Sequence, residues 1–189
     1  MSRPERSVLF DAPAGFDEPL EMLLGCHRRI EKQIETLKRL RAHLEDHGVD
    51  ADAAIAAQAV LRYFGSAAAN HHEDEEADLF PLLAQRIDDA GEAQRFAAFR
   101  EALLADHREL DAAWSRLRKP LEGIAEGLRR TLPAADVAAY VEGYAKHIVT
   151  EEHALLEFCN RWLTDADRMA LGRSMAARRK VAPGPPAGL

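Results

Sequence analysis

The sequence predicts an all-α protein, an antiparallel up-down-up-down four-helix bundle with a short fifth helix after it. Ala, Leu, Glu and Arg dominate and β-branched residues are few, which is a composition of helix formers. Apolar residues recur at alternating spacings of three and four through four long segments, the mark of helices that each bury one stripe. Gly, Pro and Asp fall between those segments, where caps and stops belong. At 189 residues, 47% of them hydrophobic, the chain is long enough for one domain with a real core.

Residues 1–16 carry two prolines, a glycine and the aromatics Phe10 and Phe16, and read as an irregular arm. The bundle is expected over 17–163. Asp17 is the predicted cap of the first helix, with Pro19 just inside its first turn. Leu20, Leu23, Ile30, Ile34, Leu37 and Leu44 form its stripe, with His27 on it. His43 and His47 near its end complement the helix dipole, and Gly48 stops it. The second helix starts near Asp50 or Asp52, is kinked or interrupted at Pro81, and runs to about Asp89 before Gly91. The third starts near Glu92 on the stripe Phe96, Phe99, Leu103, Leu110, Trp114 and Leu117, with His107 among them; Pro120, Gly123 and Gly127 leave its end open. The fourth opens at Thr131–Pro133 or at Asp136 and carries Val137, Tyr140, Tyr144, Leu155, Phe158 and Trp162. Thr164 caps the fifth helix, expected over 164–180, and residues 181–189 read as a flexible tail.

Net charge is −7, from 25 Lys and Arg against 32 Asp and Glu, which argues against general nucleic-acid binding. No apolar run approaches the roughly 18 residues a membrane helix needs. The N-terminal residues lead into no signal-peptide core. Cys26 and Cys159 form no paired motif, so a reducing cytoplasm is expected rather than a disulfide framework. Neither a nucleic-acid nor a membrane partner is expected, and no protein partner is indicated.

The chemistry gathers around the stretch from Asn70 to Pro81. The stripe Val60, Leu61, Phe64, Ala67 and Ala68 leads into it, and Leu79, Leu82 and Leu83 resume the same face beyond. His71 and Glu75 stand between, four apart and therefore nearly one above the other. His147 and Glu151 repeat the pair on the fourth helix, and His27 and His107 stand singly on the first and third. Each half of the chain is thus a helix with one His followed by a helix with His-x-x-x-Glu. A lone His on an apolar stripe is more often a hydrogen-bonded core residue. Four imidazoles and two carboxylates aimed into one core are different, because burying them together without a cation is costly.

The donors are imidazole and carboxylate without thiolate, which suits iron, manganese or zinc. Six ligands suit two ions, with Glu75 and Glu151 as bridges. At 100° per residue a carboxylate four after its His stays within about 40° of it, and one five after lies about 140° away. Glu75 and Glu151 are therefore preferred to Glu76 and Glu152. His72 reaches the site only from its edge, and His153 faces away. Glu73, Asp74 and Glu76 read as a solvated acidic face, and Arg173 to Lys180 as the solvated end of the last helix.

From about Phe16 to Trp162 the chain resembles the hemerythrin-like HHE cation-binding family. The motifs that carry the resemblance are Cys26-His27-Arg28-Arg29-Ile30, His71-His72-x-x-Glu75-Glu76 running into Leu79-Phe80-Pro81, Asp106-His107-Arg108-Glu109-Leu110, and His147-Ile148-x-x-Glu151-Glu152. The resemblance implies a four-helix bundle around a non-haem di-iron centre, zinc or manganese being possible substitutes. It also implies His27, His71, His107 and His147 as terminal ligands and Glu75 and Glu151 as bridges. Members bind dioxygen, sense oxygen or iron, or handle iron and reactive oxygen and nitrogen species. Oxygen carriers of the family place a second His four after the third-helix His, where this chain has Asp111, and space their last His–carboxylate pair by five, where this chain has four. Iron-sensing and bacterial members carry a ligand directly after the second-helix His, the place of His72. The expected function is a soluble di-iron protein that binds or reacts with dioxygen, peroxide or nitric oxide. The alternative is a metal- or oxygen-sensing or iron-handling protein whose metal occupancy sets bundle stability and partner binding.

Overall fold

The computed structural model describes residues 15–180. The expected tail over 181–189, and all but the last two residues of the expected arm, lie outside the described residues. Among the described residues there are five helices and no strand. Helix α1 spans Pro19–Asp46. Glu18 occupies the cap position and makes no side-chain cap bond, so Asp17 lies in the turn before the helix and is not its cap. Pro19 opens the helix because its fixed φ is already helical and its missing N–H has no partner to lose there. At the other end Gly48 takes φ 77°, the left-handed stop that a glycine adopts without strain.

Helix α2 occupies residues 51–86 and changes register twice. It runs Ala51–Arg62, widens into a π turn at Tyr63–Ala67, continues over Ala68–Glu73, widens again at Asp74–Leu79, and ends with Phe80–Arg86. Asp50 caps it by accepting from the Ala53 N–H at 2.8 Å. Pro81 does not end the helix. The Phe80 N–H closes on the Glu75 carbonyl five residues back. Pro81, which has no N–H to give, then falls at the seam where the wider register returns to the α form.

Helix α3 spans Ala90–Ala125, capped by Asp89 on the Glu92 N–H at 2.8 Å. Gly91 therefore lies in its first turn instead of separating two helices, and Pro120 is buried inside it. Helix α4 runs Ala134–Thr150, a π turn at Glu151–Leu155, then Leu156–Trp162. Helix α5, Asp165–Arg178, opens on a reciprocal capping box between Thr164 and Asp167.

The apolar stripes meet in two clusters. One holds Ile30, Leu37, Val60, Phe64, Leu117 and Tyr140. The other holds Leu23, Leu79, Leu83, Leu103, Phe158 and Met175. Every long helix crosses from one cluster to the other, α1, α2 and α3 at their buried histidines and α4 between Ile148 and Leu155, around Glu151. The result is a polar layer between two apolar ones. No helix among the described residues is long and apolar enough to cross a membrane.

Two surface assignments from the sequence are corrected. Asp74 is fully buried and paired with Arg178 and Arg179, and Arg178 also holds Asp78. The expected solvated acidic face and solvated basic end thus meet each other in part. A tertiary pair of this kind has no signature in the periodicity of either helix.

Candidate metal centre

The polar layer brings together all seven residues expected at the site. His27, His71, His72, Glu75, His107, His147 and Glu151 are buried, none of them more than 7% exposed. Glu151 lies at the middle. Its Oε2 is 2.9 Å from His27 Nε2 and 3.7 Å from His71 Nε2, and its Oε1 is 3.0 Å from His147 Nε2 and 3.6 Å from His107 Nε2. Glu75 divides in the same way, with Oε1 3.7 Å from His71 Nε2 and Oε2 3.5 Å from His107 Nε2. Two groups follow, each able to offer four donor atoms within 4.8 Å of one another: His27, His71, Glu75 and Glu151, and His107, His147, Glu75 and Glu151. The two carboxylates belong to both.

The π turns begin at Asp74 and at Glu151, one residue before one carboxylate and on the other. Their i→i+5 closure winds the helix more slowly, so the residue five after each His falls back toward the site. Glu76 reaches His107 Nδ1 at 2.6 Å, and Glu152 reaches His27 Nδ1 at 3.1 Å. Counting 100° per residue places both on the outside. The available signal was the doubled Glu-Glu at the same offset in both halves.

His72 stacks on His107, ring centroids 4.0 Å apart and planes 8° from parallel, and forms a third group with His107 and His147. Asp111 is exposed and joins none of these groups, and the outer nitrogen of His107 is taken by Glu76 instead. His153 is exposed, its Nδ1 2.8 Å from the Val149 carbonyl.

The family model of the hemerythrin HHE cation binding domain matches residues 18–159. The chain belongs to the hemerythrin HHE family. It is also similar to an uncharacterized protein of Haemophilus influenzae, 31% identical over 168 residues that cover 89% of this chain and 94% of the relative.

The electrostatics of this hemerythrin-type domain suit a cation. Burial first, and Glu151 beside it, push the Glu75 carboxyl well above the usual carboxylate range. Burial acts on Glu151 too, but the four imidazoles that face it, His107, His147, His27 and His71, hold it well below that range. Burial opposes the charged form of His27, yet Glu151 and Glu152 outweigh it and raise its pKa. His107 is raised in the same manner by Glu151 and Glu76. Burial lowers His71, and with the neighbouring His107 it lowers His72 further.

Both nitrogens of His71 and His147, Nε2 of His72 and His107, both oxygens of Glu75 and Oε1 of Glu151 are buried without a hydrogen-bond partner. His147 Nε2 is close to Glu151 Oε1 but outside hydrogen-bond geometry. Orphaned buried polar atoms are costly and rare. Here they converge, and a cation-binding family supplies what they lack. The residues fit the metal.

Proposed function

We propose that the domain holds two iron ions as a non-haem di-iron centre and binds or reacts with dioxygen or a related small oxidant, peroxide or nitric oxide. The observation that carries the proposal is the division of both Glu75 and Glu151 between two histidine pairs. His27 and His71 would hold one ion, His107 and His147 the other, and the carboxylates would bridge. His72 would add a nitrogen on the side of His107 and His147. Zinc or manganese would enter the same donors. The unit would be the bundle of residues 17–163 in up-down-up-down order, with 164–180 laid against it.

Iron, when bound, supplies Lewis acidity and electrons for the small ligand. The chain does the rest. Glu76 and Glu152 fix the rings of His107 and His27 by their outer nitrogens, which orients the inner ones. Leu20, Leu23, Leu24 and Leu155 wall a cavity of about 10 Å³ that touches His27, Glu75 and Glu151. It has room for roughly one water-sized molecule, which supports a diatomic or peroxide ligand over an organic substrate. Two buried free thiols support a reducing, cytoplasmic setting. The acidic net charge supports neither a nucleic-acid nor a membrane partner.

Anaerobic loading with ferrous iron followed by metal analysis tests the reading. Two ions per chain are expected, with a new visible absorption band on exposure to air or peroxide. Zero or one tightly held ion after loading would overturn it.

A second reading is favoured by the contact between Glu75 and Glu151, two buried carboxylates that repel unless a cation or proton intervenes. Metal occupancy would then set the stability of the bundle, and a partner would read it. A large metal-dependent change in protease resistance, without an oxidant-dependent band, would favour sensing over oxidant chemistry.

A further inference from the structure

We propose that α5 splints the metal-bearing turn of α2, and that Asp74, Arg178 and Arg179 are positioning residues that set how tightly the site holds its ions. The inference rests on the proposed metal site and deepens it.

Between Glu73 and Arg86 the backbone of α2 is at its weakest. The π turn Asp74–Leu79 comes first, and Pro81 follows it with no N–H to give. Glu75 sits in that turn and His71 just before it. Helix α5 is fastened to this stretch at both ends. At the near end Arg178 and Arg179 both donate to Asp74, Arg179 Nη2 at 2.6 Å from Oδ2, and Arg178 Nη2 donates to Asp78 Oδ2 at 2.7 Å. At the far end Arg86 Nε donates to both oxygens of Asp167, at 2.9 and 3.0 Å. Between the fastenings Leu171 and Met175 join the apolar cluster of Leu79 and Leu83. Helix α5 also lies so close to the chain before α1 that a Cβ on Gly172 would stand 1.8 Å from the Phe16 carbonyl oxygen.

Asp74 is 0% exposed and belongs to none of the metal-binding groups. A buried carboxylate must be paired, and a planar guanidinium fixes its direction as well as its charge. Asp74 immediately precedes Glu75, so fixing Asp74 fixes the phase at which the turn presents Glu75. The site therefore gains its rigidity from outside the four ligand helices.

The test uses the full chain loaded with ferrous iron under anaerobic conditions. Release to an excess of chelator is timed for wild type, Asp74→Asn, the pair Arg178→Lys with Arg179→Lys, and Arg86→Gln. Hydrogen exchange at amides 74–80 is read on the metal-free proteins. The lysine pair keeps the charges and loses only the forked geometry, so it remains informative if Asp74→Asn does not fold. Asp74→Asn and the lysine pair are expected to release iron roughly 10-fold faster, with faster exchange at 74–80. Arg86→Gln, which loosens the far end but leaves Asp74 paired, should accelerate release clearly less than the near-end variants. Wild type that holds iron, with unchanged release from the near-end variants, would overturn the splint and leave the metal site standing. Equal acceleration by Arg86→Gln would reduce the effect to general loosening and overturn it as well. Wild type that holds no iron would overturn both.

Discussion

Glu76 Oε1 lies 2.6 Å from Nδ1 of His107, on the far side of the imidazole from the carboxylates of Glu75 and Glu151. The other half of the chain answers it with Glu152 on His27 Nδ1 at 3.1 Å. Each half lends its outer carboxylate to the lone histidine of the other, so the contacts follow the two-half pattern of the sequence in its chemistry as well as its order. An imidazole held in this way keeps its tautomer and orientation and becomes a better donor at its free nitrogen.

Glu76→Gln should therefore weaken the ion on the side of His107 and His147, and Glu152→Gln the ion on the side of His27 and His71. The expected loss is about 10- to 100-fold in affinity for the affected ion. Titration against a competing chelator would show one weakened step and one nearly unchanged. Two unchanged steps in both variants would make Glu76 and Glu152 ordinary surface carboxylates.

The six central residues were legible because each stands on an apolar stripe at helical spacing, and stripes survive into the fold. His27 sits between Leu23 and Ile30, and His107 between Leu103 and Leu110. Glu76 and Glu152 were not legible, because the count of 100° per residue holds for an α-helix and both lie within π turns. The helix ends were readable where a side chain caps, as at Asp50 and Thr164, and misread at Gly91, which the cap at Asp89 draws into α3. Asp74 read as surface because its partners lie a hundred residues away on α5, and amphipathic counting finds stripes, not pairs.

The bridging proposed for Glu75 and Glu151 predicts a different outcome from the outer carboxylates. Glu75→Gln removes an anionic oxygen from both histidine groups at once, so both ions should weaken together. Metal analysis after dialysis checks this, and retention of both ions at unchanged affinity would exclude bridging by Glu75. His71 has both ring nitrogens unpartnered and faces both carboxylates, whereas His72 approaches from the side and stacks on His107. His72→Ala should consequently cost less metal affinity than His71→Ala. Equal losses would make His72 as strong a ligand as His71.

Protons should report loading. In the metal-free protein His27 and His107 are raised above 6.5, so protons remain on them near pH 6.5, and Glu75 keeps its proton to higher pH than a free carboxyl does. Metal binding must displace them, so loading near that pH should release protons. Calorimetry in buffers of different ionisation enthalpy would measure the release, and an absence of release would contradict the ligand set. The sign for stability follows from the same values. His27 and His107 stabilise the metal-free fold fully below the ordinary 6.5, and that contribution is lost as pH rises through their folded values. Glu75 behaves likewise from its lower starting value of 4.5. The lowered groups, His71, His72 and Glu151, lose their contributions only as pH falls. Above pH 6.5 the metal-free domain should therefore lose stability with rising pH, and denaturant melts across that range would show it. The loaded domain, with its ligands already deprotonated, should not.

Metal and fold should be coupled most strongly along α2. Without a cation, Glu75 has to stay protonated or draw in water, and it does so inside a turn whose backbone bonds are already of the wider kind. A ligand that binds only the folded state stabilises it by about 2.7 kcal/mol at a hundredfold excess over its dissociation constant. Loading should raise the melting temperature accordingly, but a uniform rise would fit any bound ion. The distinguishing expectation is local. Amides from Tyr63 through Leu83, which span both π turns and Pro81, should gain more protection on loading than those of α3, a helix with unbroken register and one histidine at the site. Hydrogen exchange on metal-free and loaded protein measures this directly. Equal protection of α2 in both states would mean that the buried imidazoles and carboxylates are held by the bundle alone, and the metal-organised core inferred from them would have to be abandoned.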